Sequence, residues 1–202
     1  MRLKNFLAID TSGEHLSVIA CKDGKAETVF EENCAMQHSV RLMDAVDEAL
    51  SRAHLSPEDC DFFCAVTGPG SFTGIRIGIS AAKGFCAAAG KPALGITSFE
   101  TLAYNTETEA LAAISAGRGN FYVCGFAADK SILLSPQIVG ADELARLAGE
   151  YTVCAATPLS VPYLKADPAA GLLRAICAKS EKDLGDLAAF YLKKSQAEEN
   201  AH

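Results

Sequence analysis

The chain has 202 residues, of which 50% are hydrophobic and 21% are charged, and this balance is typical of a globular protein with a substantial core. Its net charge of −7 predicts poor binding of RNA or DNA by the chain alone, because such binding depends on Lys and Arg at phosphates. No apolar run approaches the roughly 20 residues of a membrane span and the start is too short in its apolar part for a signal peptide, so we expect a cytoplasmic protein.

The first half of the chain is expected to form three strands and then alternating helices and strands. Strands are predicted over 5–10, 15–21 and 26–32, and the Asp23-Gly24 pair between the last two is typical of a tight hairpin turn. Apolar residues at helical spacing predict a helix over 37–53. A strand, a helix and a strand follow at 62–67, 73–89 and 93–97, which should form a right-handed crossover.

A short helix ending near Tyr104 closes the first half, because Thr97 and Glu100 have the spacing of a capping box. The polar residues 105–109 are the candidate linker. Beyond them we predict a hairpin over 110–127, strands near 132–139 and 151–155, and helices near 141–149, 169–179 and 184–194. The sequence therefore predicts a two-lobed α/β protein with an N-terminal lobe at 1–104 and a smaller C-terminal lobe at 105–202.

Eight cysteines are present and none belongs to a Cys-x-x-Cys pair. Most lie within apolar runs, and no His or second Cys pair is placed to complete a zinc site with Cys60 and Cys64. In a chain without an export signal, buried free thiols are expected rather than disulfides. We predict no metal site.

The most informative stretch is residues 68–78, Gly-Pro-Gly-Ser-Phe-Thr-Gly-Ile-Arg-Ile-Gly. A glycine turn between a strand and a helix N-terminus can hold an anion, with Ser71 as the helix cap. Gly74 and Gly78 lie on one helix face and each weakens a helix by about 0.8–1.0 kcal/mol relative to Ala. Close packing would offset that cost, either against a partner helix or internally against the sheet.

Three blocks of this sequence resemble the TsaB (YeaZ) family: Leu-Ala-Ile-Asp-Thr-Ser at 7–12, the 68–78 block, and Ala-Leu-Gly-Ile-Thr-Ser at 93–98. The tail at 191–198 is similar too. The resemblance is close over 5–104 and looser from 105 to 182. It implies the two-lobed fold of the actin, sugar kinase and heat-shock ATPase superfamily, with a ribonuclease H-like sheet in each lobe.

The same resemblance implies a function in tRNA modification. Family members are needed to make threonylcarbamoyladenosine at adenosine 37 of tRNAs that read codons starting with A, together with the related catalytic subunit TsaD. TsaD holds a metal through a His-x-x-x-His pair, and the matching positions here are Ser98 and Leu102, so this chain is expected to be a non-catalytic scaffold without an intrinsic cofactor. The older glycoprotease description lacks a supporting motif here. Expected partners are the TsaD-type paralogue, a TsaE-type ATPase, a second copy when the chain is alone, and tRNA only through the complex.

Two sets of site residues follow from the resemblance. The turn after the first strand matches the superfamily's first phosphate loop, although a plain strand-end turn explains it equally, and ATP or ADP could lie at the interface of the complex. The candidate nucleotide-binding residues are Asp10, Thr11, Ser12, Gly68, Gly70 and Ser71. The candidate partner-interface residues are His38, Leu42, Met43, Val46, Phe72, Thr73, Gly74, Arg76, Ile77, Gly78, Ala81 and Phe85.

Two single residues leave alternatives open. His38 opens the first helix, and a capping or surface role is favoured over metal binding. Arg76 lies near the positive end of its helix, where a cation is unfavourable, so either an anionic partner group or a surface salt bridge should accompany it. As a rival to the scaffold, Asp10 and the glycine turns also fit an independent ATP-dependent enzyme, such as a small kinase of the same superfamily.

Overall fold

The computed structural model describes residues 5–193, which form two mixed sheets. In the first sheet an antiparallel three-strand meander continues into two parallel strands, as predicted. The hairpin turn has positive φ at both Asp23 (51°) and Gly24 (81°), the backbone that an Asp-Gly pair favours. The strands are β1 (Phe6–Asp10), β2 (Leu16–Lys22), β3 (Lys25–Glu31), β4 (Phe62–Val66) and β5 (Ala93–Ile96).

Helices α1 (His38–Ala53) and α2 (Phe72–Ala89) cover one face of this sheet. The side chain of Ser71 accepts a hydrogen bond from the Gly74 amide and caps α2. Helix α3 (Ser98–Ala103) begins with the predicted capping box, in which Thr97 and Glu100 each bond the other's main chain. The elements that surround the glycine block are therefore those that the sequence predicts.

The second sheet repeats the strand order of the first. It runs β8-β7-β6-β9-β10, which matches β3-β2-β1-β4-β5, so the two lobes are related as expected for the fold. Helix α4 (Ala141–Leu147) packs on its outer face and α3 on its inner face. The strands are β6 (Ala110–Gly117), β7 (Asn120–Phe126), β8 (Ile132–Gly140), β9 (Thr152–Ala155) and β10 (Leu164–Lys165).

The C-terminal part of the chain returns to the first sheet, which the sequence reasoning did not predict. Helix α5 (Pro168–Cys177) packs on the inner face of the first sheet, and β11 (Leu184–Gly185) pairs with β5 at its edge. The predicted helix over 184–194 is wrong for residues 184–193: Leu184 and Gly185 pair with the edge of β5, and residues 186–193 form no helix. Residue 194 lies outside the described residues. The predicted boundary between the two lobes at residue 105 stays a prediction. Within the predicted C-terminal lobe, however, α5, β11 and Leu187 pack against the first sheet.

Residues from α3 and α5 fill the space between the two sheets. A Cβ on Gly171 of α5 would collide with the carbonyl oxygen of Thr101 in α3, so a glycine is required for this close contact. The described part of the chain thus has five layers: the helix pair α1 and α2; the first sheet; the helix pair α5 and α3; the second sheet; and helix α4. No helix within residues 5–193 has both the length and the apolar character needed to cross a membrane.

All eight cysteines are free, in agreement with the prediction. Six are buried, whereas Cys86 is half-buried and Cys177 is exposed. Burial raises the pKa of Cys60 and of Cys124 to about 12, which keeps these thiols protonated and unreactive at neutral pH. They act as small apolar core residues.

Candidate functional site

A cleft of about 960 Å³ lies between the two lobes. Its first-lobe wall comes from β3 and the turn after β1, and its second-lobe wall comes from β6 and the chain around β10. Ser98, Thr101 and Leu102 of α3 line it as well, so the two positions expected to match the TsaD histidines face this cleft. Its charged lining residues are Asp10, Glu14, His15, Glu32, Lys165 and Asp167.

A chain of hydrogen bonds occupies the first-lobe wall of this cleft. Both the amide (2.8 Å) and the hydroxyl (2.7 Å) of Ser12 donate to Oδ1 of Asp10. Nε2 of His15 lies 3.0 Å from Oδ2 of Asp10, and Ser98 donates to the Ser12 hydroxyl at 3.1 Å. Both oxygens of the Asp10 carboxylate are therefore engaged by this chain's own groups.

Asp10 and His15 stabilise each other's charged forms in the folded protein. Burial alone disfavours both charges, but their mutual attraction and hydrogen bonding outweigh it, so the pKa of Asp10 is lowered and the pKa of His15 is raised. The His15 ring also stacks on Phe30, with ring centroids 5.3 Å apart. The His15 ring thus lies between Phe30 and the Asp10 carboxylate, in contact with both.

The glycine block packs against the turn that follows β1. A Cβ on Gly70 would collide with the carbonyl oxygen of Ser12, and one on Gly74 with that of Thr11. The Ser71 amide donates to the Ser12 carbonyl (2.7 Å), and the Thr11 hydroxyl donates to the Gly74 carbonyl (2.6 Å). The two turns predicted to hold a nucleotide are therefore bonded to each other.

Gly68 has a separate role in this arrangement. Its φ of 109° suits glycine, and a Cβ there would lie 2.7 Å from both Ile75 Cδ1 and the carbonyl oxygen of Phe190. Of the candidate nucleotide-binding residues, Asp10 and Ser12 line the cleft, whereas Thr11, Gly68, Gly70 and Ser71 do not.

Several residues predicted to contact a partner are buried. A Cβ on Gly78 would lie 2.6 Å from the Thr11 hydroxyl oxygen, so the glycine face of α2 packs on β1 and its turn, not on a partner. His38 is buried and its Nε2 donates to the His15 carbonyl at 2.9 Å, which corrects the expectation of a surface or capping role. The buried members of the predicted interface are His38, Leu42, Val46, Gly74 and Gly78.

The outer sides of α1 and α2 do expose apolar residues. On α1, Val40 is 73% exposed and Met43 is 50% exposed. On α2, Ile77 and Ala81 are half-buried and Gly84 is exposed, and these three recur at helical spacing. We call this surface of the two helices the helix-pair face; it consists of Val40, Met43, Ile77, Ala81 and Gly84. Of the predicted interface residues, Thr73 and Arg76 are also exposed, and Phe72 and Phe85 are half-buried.

Two residues of these sites were missed by the sequence reasoning. His15 was read only as the start of a strand, and Tyr191 only as part of a similar tail. An Asp followed by His five residues later, across a turn, is a weak signal that would rarely predict an ion pair. Tyr191 stacks on Phe72 with ring centroids 4.3 Å apart, and no signal in the sequence could place these two residues together.

Comparison with known proteins identifies the family. A family model described as "TsaD: tRNA N6-adenosine threonylcarbamoyltransferase" matches residues 17–194. The "tRNA threonylcarbamoyladenosine biosynthesis protein TsaB" of Escherichia coli K12 is 34% identical over 159 residues, covering 72% of this chain and 68% of that protein. The chain belongs to the TsaB (YeaZ) family. A protein of the same name from Buchnera aphidicola is 32% identical over 121 residues, which cover 57% of either chain.

A solved structure supports the fold. "YeaZ from Pseudomonas aeruginosa" superposes with a TM-score of 0.80 over 94% of this chain and 100% of that one, at 24% identity. The paired mixed sheets are thus those of the TsaB family, with the actin-like architecture expected from the resemblance. Among residues 5–193 no group of three or more His, Cys, Asp or Glu side chains is placed to hold a metal ion.

Proposed function

We propose that this chain is a non-catalytic subunit required to form N6-threonylcarbamoyladenosine at adenosine 37 of tRNAs that read codons starting with A. It acts by pairing with a TsaD-type transferase and activating it. The observation that carries the proposal is the helix-pair face, where the apolar side chains of Val40 and Met43 are exposed, on a chain whose relatives are named as tRNA threonylcarbamoyladenosine biosynthesis proteins. The aligned part spans 68% of the E. coli relative and 57% of the Buchnera one.

The helix-pair face is the proposed contact surface. Exposed apolar side chains that are grouped on neighbouring elements are typical of interaction sites. Val40 and Met43 supply large apolar surface, while Ala81 and Gly84 leave room for a partner helix to approach closely. When the chain is alone, a second copy covers the same face; a TsaE-type ATPase and tRNA join only the assembled complex.

The geometry of the cleft supports a scaffold more than an independent ATP-dependent enzyme. The carboxylate oxygens of Asp10 are engaged by Ser12 and His15 instead of being open to Mg²⁺. Four carboxylates against one Lys and one His line the cleft, which disfavours a polyphosphate. Calorimetric titration of the purified chain with Mg-ATP should give no binding heat; tight binding with turnover would favour the enzyme instead.

The partner surface is tested by placing a large side chain on the helix-pair face. Gly78→Arg is unsuitable because a side chain there would meet Thr11 within the fold. Gly84→Arg is suitable, since a Cβ at this position has no atom within 4 Å. The matched control is Gly140→Arg, which also has open space but lies at the start of α4 on the other lobe.

We expect Gly84→Arg to lose co-purification with the TsaD-type transferase and to stop modification of tRNA in a reconstituted reaction. Gly140→Arg should retain both activities. The circular dichroism spectra of both variants should match that of the parent, and the melting temperature of Gly84→Arg should be no lower than the parent's, because Arg favours a helix more than Gly does. If Gly84→Arg still forms an active complex, the helix-pair face is not the contact surface.

A further inference from the structure

An exposed stack of two aromatic rings and one guanidinium lies at the first turns of α2. The rings of Phe72 and Tyr191 are stacked with centroids 4.3 Å apart and an interplanar angle of 21°. The Arg76 guanidinium carbon lies 4.0 Å from the Phe72 ring centroid, and its Nε donates to the Tyr191 hydroxyl at 3.2 Å. These contacts fix the plane of the guanidinium on the protein surface.

The position of Tyr191 is set by the core and not by Arg76. The segment before it enters the first sheet as β11, and Leu187 is 2% exposed within an apolar cluster. Next, the Phe190 amide donates to the Thr67 carbonyl at 2.8 Å, and the Phe190 ring meets Phe99 edge-on. The tail therefore delivers the Tyr191 ring to Phe72 as an anchored side chain.

The charge of Arg76 is not neutralised within residues 5–193. Helix α2 has two charged residues, Arg76 and Lys83, and both are basic. Neither forms an ion pair with a described residue, although the chain as a whole carries −7. Since the N-terminal end of a helix is already positive, a cation there is unfavourable unless an anion approaches it.

The remaining hydrogen-bonding groups of Arg76 suit a carboxylate. Nε bonds Tyr191, and the two Nη groups have no hydrogen bond to a described residue. A planar pair of N–H donors matches the two oxygens of Asp or Glu, and this fork is a property that Lys lacks. Arg76 is exposed on α2, the helix that contributes Ile77, Ala81 and Gly84 to the helix-pair face.

We propose that this stack is a docking site for a carboxylate side chain of the TsaD-type transferase, where the transferase covers the helix-pair face. Arg76 makes the contact, and Tyr191 is the positioning residue that holds the guanidinium in place. The inference rests on the proposed function, because it assigns the chemistry of one contact at the same surface. A protein carboxylate is favoured over an RNA phosphate because a single guanidinium on a chain of charge −7 is a weak site for a polyanion.

The test measures the dissociation constant of the purified chain with the TsaD-type transferase of the same organism. Arg76→Lys keeps the charge but removes the fork, and should weaken binding about 10-fold. Tyr191→Phe keeps the ring stack but removes the hydroxyl, and should weaken binding about 3-fold with an unchanged melting temperature. Lys83→Ala removes the other cation of α2 and should change binding less than about 2-fold.

A double variant separates positioning from a merely structural role. If Tyr191 acts through Arg76, Tyr191→Phe should have no further effect on affinity in the Arg76→Lys background. Independent, additive losses would contradict the positioning role. Unchanged affinity of Arg76→Lys for the transferase would overturn the docking site. If Arg76→Lys binds the transferase normally but the preformed complex loses tRNA, Arg76 contacts a phosphate instead.

The Gly84→Arg variant distinguishes the two proposals. If Gly84→Arg abolishes binding and Arg76→Lys does not alter it, the helix-pair face stands and the carboxylate site fails. If Gly84→Arg binds normally, the proposed surface fails and the carboxylate site fails with it.

Discussion

Two glycines of α2 should respond in opposite ways to the same substitution. Gly74 and Gly84 lie in one helix, but a Cβ on Gly74 would collide with the main-chain carbonyl of Thr11, whereas a Cβ on Gly84 has open space. Alanine favours a helix more than glycine at both positions, more fully in the interior at Gly84 than in the first turn at Gly74, and only Gly74→Ala meets a steric clash. Their comparison tests directly whether the glycine face of α2 packs internally.

The expected magnitudes follow from these contacts. Replacing a helix glycine with alanine stabilises a helix by about 0.8–1.0 kcal/mol, so Gly84→Ala should be more stable than the parent by about 1 kcal/mol. Overpacking costs about 1–3 kcal/mol. We expect the upper end at Gly74 because the Thr11 hydroxyl also bonds the Gly74 carbonyl at 2.6 Å and holds the two segments together. Gly74→Ala should thus be less stable by about 2 kcal/mol.

Urea and thermal unfolding followed by circular dichroism would measure both changes. At about 2–4 °C per kcal/mol, Gly84→Ala should raise the melting temperature by about 2–4 °C and Gly74→Ala should lower it by about 4–8 °C. Equal or higher stability of Gly74→Ala relative to Gly84→Ala would refute the close approach of α2 to the turn after β1. The predicted docking role of the glycine face would then need to be considered again.

Three further predictions concern the cleft and the elements around it. His15→Asn should lower the free energy of unfolding most between about pH 4 and 6.5. The raised pKa of His15 contributes stability that is complete below its ordinary pKa of 6.5 and is lost as the pH rises through its folded-state pKa. The lowered pKa of Asp10 contributes stability that is lost as the pH falls through the folded-state pKa of Asp10. Urea unfolding across pH checks this, and a difference that does not depend on pH would contradict it. Thr97→Ala removes one half of the capping box of α3 and should cost about 1 kcal/mol in the same assay, whereas a neutral result would show that Glu100 alone caps the helix. Gly171→Ala should destabilise the protein by about 1–3 kcal/mol because its methyl group would strike α3, and wild-type stability would mean that α5 can shift away.

Much of the local structure was accessible from the sequence because it depends on short-range chemistry. The Asp23-Gly24 turn requires positive φ, the Thr97 and Glu100 spacing forms a capping box, and periodic apolar residues define α1. The helix predicted over 184–194 failed for the opposite reason. Residues 184 and 185 pair with β5 and Leu187 is buried, and both features depend on elements far away in sequence.

The candidate sites show the same division. The sequence by itself determined the family and the glycine block, because motifs of specific residues carry that information. It could not decide which side of α2 faces solvent, since Gly74 and Gly78 suit internal packing as well as a partner helix. Only the tertiary structure decided this, by bringing Thr11 against both glycines and Tyr191 against Arg76. Thr11 and Gly74 are separated by 63 positions in the sequence, and Arg76 and Tyr191 by 115. These contacts arise from how the sheet and the tail pack, and no local sequence pattern encodes them.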